Sequence, residues 1–221
     1  LRNLENFFGA LITMPHKQAI LSYLHYKSPL VEQSASCNIL KLNKSRETIG
    51  EIFDGIGVFK AICEKNVLPS NKSILLIGAG GVGSATAFYL ASKGISKLAI
   101  FDLDLLKSSK LCSKIRHVFP NLEVDVWNSE EVGWDIMINA TPLGMYKADN
   151  LPVAKRFINS VEVVIDLVLS TTDTYLVKTA KENKTKVVSG IDVLVAQIPE
   201  MLEFFGLEKL SINKIKAICN F

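Results

Sequence analysis

Gly78-Ala79-Gly80-Gly81-Val82-Gly83 places glycines at 78, 80 and 83 in a GxGxxG spacing, between an apolar run, ILLI at 74–77, and a helix-like stretch, SATAFYLASKG. The first glycine permits a tight turn, the second lets backbone N–H groups approach a pyrophosphate, and the third lets the helix pack closely on the sheet. The phosphate then meets the positive end of a helix. Asp102 ends the run LAIFD nineteen residues after Gly83, near the offset of about 20 for an acid that binds an adenosine ribose. Its carboxylate can accept hydrogen bonds from both ribose hydroxyls and would repel a 2′-phosphate. The next basic residue is Lys107, so the pattern predicts NAD as cofactor, with NADP disfavoured. Asp104, just ahead of an apolar-periodic run, reads as a helix cap.

Two hundred and twenty-one residues, 48% apolar and 21% charged, with 13 Gly and 7 Pro, describe an ordinary globular chain of one large or two small domains. Twenty-five Lys plus Arg against 22 Asp plus Glu leave only +3, too little for the electrostatic footprint of a nucleic-acid binder. The expected partner is a small molecule. Cys37, Cys63, Cys112 and Cys219 are scattered, with no CxxC pair and no clustered His. Neither a metal site nor a disulfide framework is predicted, and reduced thiols suit a cytoplasmic location. Residues 73–92 carry no charge, long enough on paper to cross a bilayer, but the glycine cluster divides them into halves too short to span. The opening LRNLENFFGA does not resemble a signal peptide, and without an initiator Met the N-terminal part is expected to be missing.

The elements that must position these groups follow from periodicity. From Lys72 onward, strand-like ILLI, LAIFD, VDVW, DIMINA, VEVVIDLV and KVV alternate with helical patterns, including TDTYLVKTAKEN. Strands joined by helices of ten to fifteen residues predict a doubly wound, mostly parallel Rossmann-type sheet. Asn139, Ala140 and Thr141 then fall at the carboxyl end of that sheet, on the nicotinamide side. The N-terminal region differs: a strand-like ALIT (10–13), a helix opened by Pro15, and shorter elements. After Gly190, VLVAQIPEMLEFFGL and INKIKAICNF read as two helices, with Pro199 kinking or dividing the first. The expected organisation is an α/β substrate-binding domain over 1–64, a dinucleotide-binding domain over 65–190, and C-terminal helices over 191–221 that pack back on the first. A monomer or homodimer is expected.

GALITMPHK (9–17), SCNIL (36–40), GEIFDGIG (50–57), GAGGVGSA (78–85), NATPLGM (139–145) and GIDVLVAQ (190–197) occur in an order that resembles the shikimate and quinate dehydrogenases. The resemblance spans nearly the whole chain. It implies hydride transfer between a nicotinamide and a secondary alcohol on a cyclohexene or cyclohexane carboxylate ring. It also implies that Lys17 transfers the proton with Asp54 as partner, that Thr13, Asn38 and Gln197 bind ring hydroxyls, and that Gly190 lies at the cofactor. The chemistry is consistent: oxidising an alcohol requires loss of the hydroxyl proton as hydride leaves carbon. Neutral donor–acceptor side chains can pair with a hydroxyl in either sense. A carboxylate beside an amine does not lower its basicity, so Asp54 is expected to orient more than to activate.

The chain also departs from that family. The usual GxNVT reads Gly9, Ala10, Leu11, Ile12, Thr13, and the usual NTD reads Ile52, Phe53, Asp54, which removes two asparagine side chains. The usual DxVYxP reads DLVLST, with Leu169 in place of tyrosine, and no Ser-x-Ser segment occurs ahead of residue 9. Lost polar partners imply altered discrimination among hydroxyl-rich ligands. A nucleotide-binding sensor without turnover is the competing expectation.

Overall fold

The computed structural model describes residues 3–128 and 130–219. Its N-terminal part contains β1 (Gly9–Leu11), β2 (Tyr26–Lys27), α1 (Pro29–Ser34), β3 (Ile39–Leu42), β4 (Thr48–Glu51) and α2 (Asp54–Cys63). The four strands form one sheet in the order β1-β3-β4-β2, antiparallel except for β2 beside β4. Helix α1 begins where Ser28 caps the Val31 N–H with Pro29 in the first turn, and ends at Ala35, whose φ of 51° reverses the chain into β3. The ALIT strand stops at Leu11. The helix expected after Pro15 does not form. The Met14–Pro15 bond is cis, residues 14–18 make a turn, and only a 3₁₀ segment, Ala19–Tyr23, follows.

The remaining elements are β5 (Ser73–Ile77), α3 (Gly81–Ala91), β6 (Lys97–Phe101), α4 (Leu105–Val118), β7 (Glu123–Val126), β8 (Ile136–Asn139), α5 (Lys155–Ile158), β9 (Val163–Asp166), α6 (Tyr175–Glu182), β10 (Lys186–Val188), α7 (Gly190–Phe204) and α8 (Ile212–Cys219). Six strands lie in the order β10-β9-β8-β5-β6-β7, and every neighbouring pair is parallel. The architecture is therefore the α/β Rossmann type beside a smaller sheet. Covered on both faces, β8 and β9 are buried at every position. The order reverses between β5 and β8, which opens a crevice at their carboxyl ends. The uncharged 73–92 stretch is divided between β5 and α3. Among the described residues no helix is long and apolar enough to cross a membrane.

One apolar layer joins α3 and α4 to the sheet through Phe88, Leu90, Leu111 and Ile115, and takes in Val58 and Ile62 of α2 and Val193 of α7. The opposite layer packs Trp127, Trp134, Phe157 and Leu176. Helix α2 wedges between α3 and α7 because it carries glycine at both contacts. A side chain at Gly55 would meet the Ala85 carbonyl at 2.8 Å, and one at Gly57 the Val193 carbonyl at 2.8 Å. Helix α7 runs undivided through Pro199, opened by a Ser189–Asp192 capping box. At its far end Lys41 of β3 donates to the Phe204 carbonyl at 2.5 Å, and Phe204 packs edge-on to Phe53.

Candidate active site

The glycine turn has a distinct requirement at each position. Gly78 sits at φ +106° with the Ala140 carbonyl where a side chain would be. A Cβ on Gly83 would overlap the Gly78 carbonyl oxygen, so the helix can lie this close to the turn only without one. Gly80 faces open space, and no side chain caps α3. The first-turn N–H groups of this eleven-residue helix are thus left for an anionic ligand. Ala79 donates its N–H to Asp102 Oδ2 at 2.8 Å, and Oδ1 accepts from the Asp104 N–H at 2.9 Å. Each oxygen keeps a second lone pair for a ribose hydroxyl. An open approach, an uncapped helix and an adjacent acid fit a dinucleotide. Asp104 caps α4 through the Leu106 N–H.

Lys17 and Asp54 follow β1 and β4 off the same end of the smaller sheet, where Leu11 and Glu51 both pair with Ile39. Lys17 lies in the turn after Pro15 and is tied to the segment leading into β3 by the Cys37 N–H, which donates to its carbonyl at 2.9 Å. Asp54 opens α2, where the helix dipole favours a carboxylate. Lys17 Nζ donates to Asp54 Oδ2 at 2.5 Å, with the two side chains 14% and 8% exposed. Asn38 links the set. Its Nδ2 donates to Asp54 Oδ1 at 3.0 Å and to Gln197 Oε1 at 2.9 Å, while its Oδ1 accepts from the Phe53 N–H at 3.0 Å. Both Asn38 N–H groups are therefore taken within the protein and position its neighbours, while Oδ1 keeps a second lone pair. Among the described residues, the Gln197 NH₂ group and the hydroxyl of exposed Thr13 have no protein partner.

These groups line a cleft of about 480 Å³ whose other wall comes from the nucleotide side: Val82, Ala140, Thr141 and Gly190. Gly190 is glycine because a side chain would run into the Val168 carbonyl. Gly81 lies close to Lys17, since a side chain there would be 3.7 Å from Lys17 Cβ and 2.7 Å from Ser36 Oγ.

Asn139 has a different part from the one its position in the sequence suggests. Fully buried, it donates to Asp166 Oδ1 and the Leu143 carbonyl, both at 3.0 Å, and accepts from the Thr141 N–H and hydroxyl. Its side chain shapes the loop that carries Ala140 and Thr141. Sequence reasoning missed Asp166 and Thr174, which complete this network through a 2.5 Å bond from the Thr174 hydroxyl. A buried acid ending a strand at the crevice was the available signal.

Burial pushes the Asp166 carboxyl above its ordinary 3.8, although Thr174, Val168 and Asn139 donate to it. A carboxyl raised in the folded state costs stability as pH climbs past 3.8 through the folded value, and the cost is constant above that. Asp166→Asn should therefore flatten the fall in melting temperature as pH rises above 3.8. An unchanged pH profile in calorimetry would refute this.

Residues 69–194 match the family model of the ThiF family. Over 228 aligned residues the chain is 34% identical to a shikimate dehydrogenase (NADP(+)) of Methanococcus maripaludis strain S2, covering 95% of the chain and 79% of that protein. A crystal structure of a shikimate dehydrogenase in complex with NADP+ superposes with TM-score 0.83 at 28% identity, over 95% of this chain and 75% of that one. The quinate dehydrogenase from Corynebacterium glutamicum in complex with NAD gives 0.82 at 26%, over 96% and 77%. The chain belongs to the shikimate/quinate dehydrogenase family of NAD(P)-dependent oxidoreductases acting on CH–OH groups.

Proposed function

We propose that this chain interconverts a ring secondary alcohol and its ketone, with Lys17 as the proton-transfer residue and NAD as the preferred cofactor. The observation that carries the reading is the Lys17–Asp54 pair in one cleft with Val82, Ala140, Thr141 and Gly190. A bound nicotinamide supplies the hydride acceptor or donor. In the oxidative direction the neutral Lys17 amine takes the hydroxyl proton, and in reduction the ammonium returns it to the carbonyl oxygen. Asp54 holds Nζ in place through Oδ2, and Asn38 holds Asp54 through Oδ1. The Gln197 NH₂ and Thr13 hydroxyl orient ring hydroxyls, which fixes the reacting carbon against the nucleotide side of the cleft. Residues 1–64 with 191–221 serve as the substrate-holding unit and 65–190 as the cofactor unit.

The NAD preference rests on Asp102. A 2′-phosphate would approach a carboxylate already turned toward the glycine loop, and exposed Leu103 beside it offers no positive charge. Shikimate and quinate as members of a ring-alcohol panel, followed by NADH and NADPH absorbance, test the activity. NAD should give the higher kcat/KM, and Asp102→Ala should narrow the gap by about tenfold or more, the worth of one charge-assisted pair. Equal or better use of NADP by the unmodified protein would overturn the preference.

A further inference from the structure

One buried carboxylate holds both loops that wall the nucleotide side of the cleft. Ala140 and Thr141 follow β8, Leu167, Val168 and Leu169 follow β9, and all five line the cleft. Asp166 ends β9, is fully buried and is not one of the lining residues. Its Oδ1 accepts from the Val168 N–H at 3.2 Å, which ties down the second loop, and from Asn139 Nδ2 at 3.0 Å, which ties down the first. Asn139 passes the constraint on, since its Oδ1 accepts from the Thr141 N–H at 3.1 Å and from the Thr141 hydroxyl at 2.6 Å. Asp166 Oδ2 accepts from the Thr174 hydroxyl at 2.5 Å, and the same Thr174 oxygen caps α6 by accepting from the Val177 N–H at 3.2 Å. The carboxylate is thus fixed to a helix through one oxygen and to both loops through the other.

We propose that Asp166 is a positioning residue for hydride transfer: through the Val168 N–H and Asn139 it sets where both loops stand in the cleft, and with them the place of a nicotinamide ring relative to Lys17. The inference rests on the proposed alcohol chemistry and adds to it a residue that touches no reactant. A carboxylate suits the part because it only accepts, and three donors arrive at it. Asparagine there keeps the size but turns one oxygen into a donor, which then meets either Thr174 or Asn139 and Val168. The pyrophosphate end of the cofactor is anchored separately at the glycine turn, so a shifted wall changes ring placement and leaves affinity alone. A misplacement of about 1 Å at the reacting atoms costs about 10²-fold in rate.

Asp166→Asn and Thr174→Val disturb the arrangement from its two ends, and Thr174→Ser keeps the hydroxyl. Titration with NADH, followed by fluorescence, reads both the affinity and the emission gained when the dihydronicotinamide ring is held. Both disruptive variants should bind NADH as the unmodified protein does, lose most of that gain in emission, and lower kcat on an active ring alcohol by about 10–100-fold at unchanged KM for NAD. Thr174→Ser should retain all three properties. Thr174→Val leaves the carboxylate in place and carries the test where Asp166→Asn does not fold. A purely structural role lowers Tm while emission, kcat and KM below it stay as they were, and that result would overturn the proposal. So would a loss of NADH affinity as large as the loss of kcat, or no binding of NADH by the unmodified protein. If the unmodified protein binds NADH but turns over no panel alcohol, the proposed activity falls, and the emission of the variants alone decides the role of Asp166.

Discussion

Lys17→Ala is expected to lower kcat by about 10²–10⁴-fold, the usual contribution of a positioned proton-transfer group, with NAD affinity unchanged. The two effects separate because Lys17 Nζ touches Asp54, while the glycine turn is held through the Ala79 N–H on Asp102 and the Gly78 N–H on the Phe101 carbonyl. Asp54→Asn keeps the size of the side chain and its bond to Asn38 but loses the charge that fixes the amine. It should cost less than removing the amine itself. Steady-state kinetics beside NADH fluorescence titration checks both parts. If Lys17→Ala binds NAD normally and oxidises every active panel member at the original rate, the proton is handled elsewhere and the catalytic assignment fails.

Gly83→Ala and Gly80→Ala add the same methyl group three residues apart and should behave oppositely. At Gly83 the new Cβ overlaps the Gly78 carbonyl oxygen, a backbone atom that cannot swing aside. Helix α3 must then lift from the turn, at about 1–3 kcal/mol for an overpacked contact, which for a chain of this size lowers Tm by roughly 2–12 °C. At Gly80 nothing lies within 4 Å and the backbone is extended with φ −74°, so the fold should accept alanine without loss. Its methyl group instead enters the space through which a pyrophosphate would approach, and NAD affinity should fall while Tm stays. Thermal denaturation and cofactor titration of the two variants distinguish these outcomes. A Gly80→Ala protein that binds NAD as tightly as before would place the phosphate elsewhere.

The contrast between these glycines shows which part of the site was legible beforehand. Turn, helix start and Asp102 lie within twenty-five residues of one another, and steric limits on backbone and Cβ act over that distance. The alternation of strands and helices from Ser73 to Val188 was legible for the same reason. Less so were elements whose form depends on neighbours. The stretch after Pro15 turns instead of coiling, with the Lys17 carbonyl accepting from the Cys37 N–H twenty residues on. Helix α7 continues through Pro199 while packed against α2. Asn139 looked like a ligand because it ends a strand at the crevice. Only the arrival of Asp166, twenty-seven residues on, turned its amide inward.

By itself the sequence determined the glycine turn and the parallel sheet, and through a family pattern it singled out Lys17 and Asp54. Only the tertiary structure decided that Lys17 meets Asp54 across thirty-seven residues and that Asn38 meets Gln197 across 159. It also decided which polar atoms around the cleft remain free for a substrate. Spacing and periodicity record what a chain does over a few residues. Hydrogen-bond partners far apart in sequence are chosen by how helices pack, here by two glycines that let α2 lie against α3 and α7.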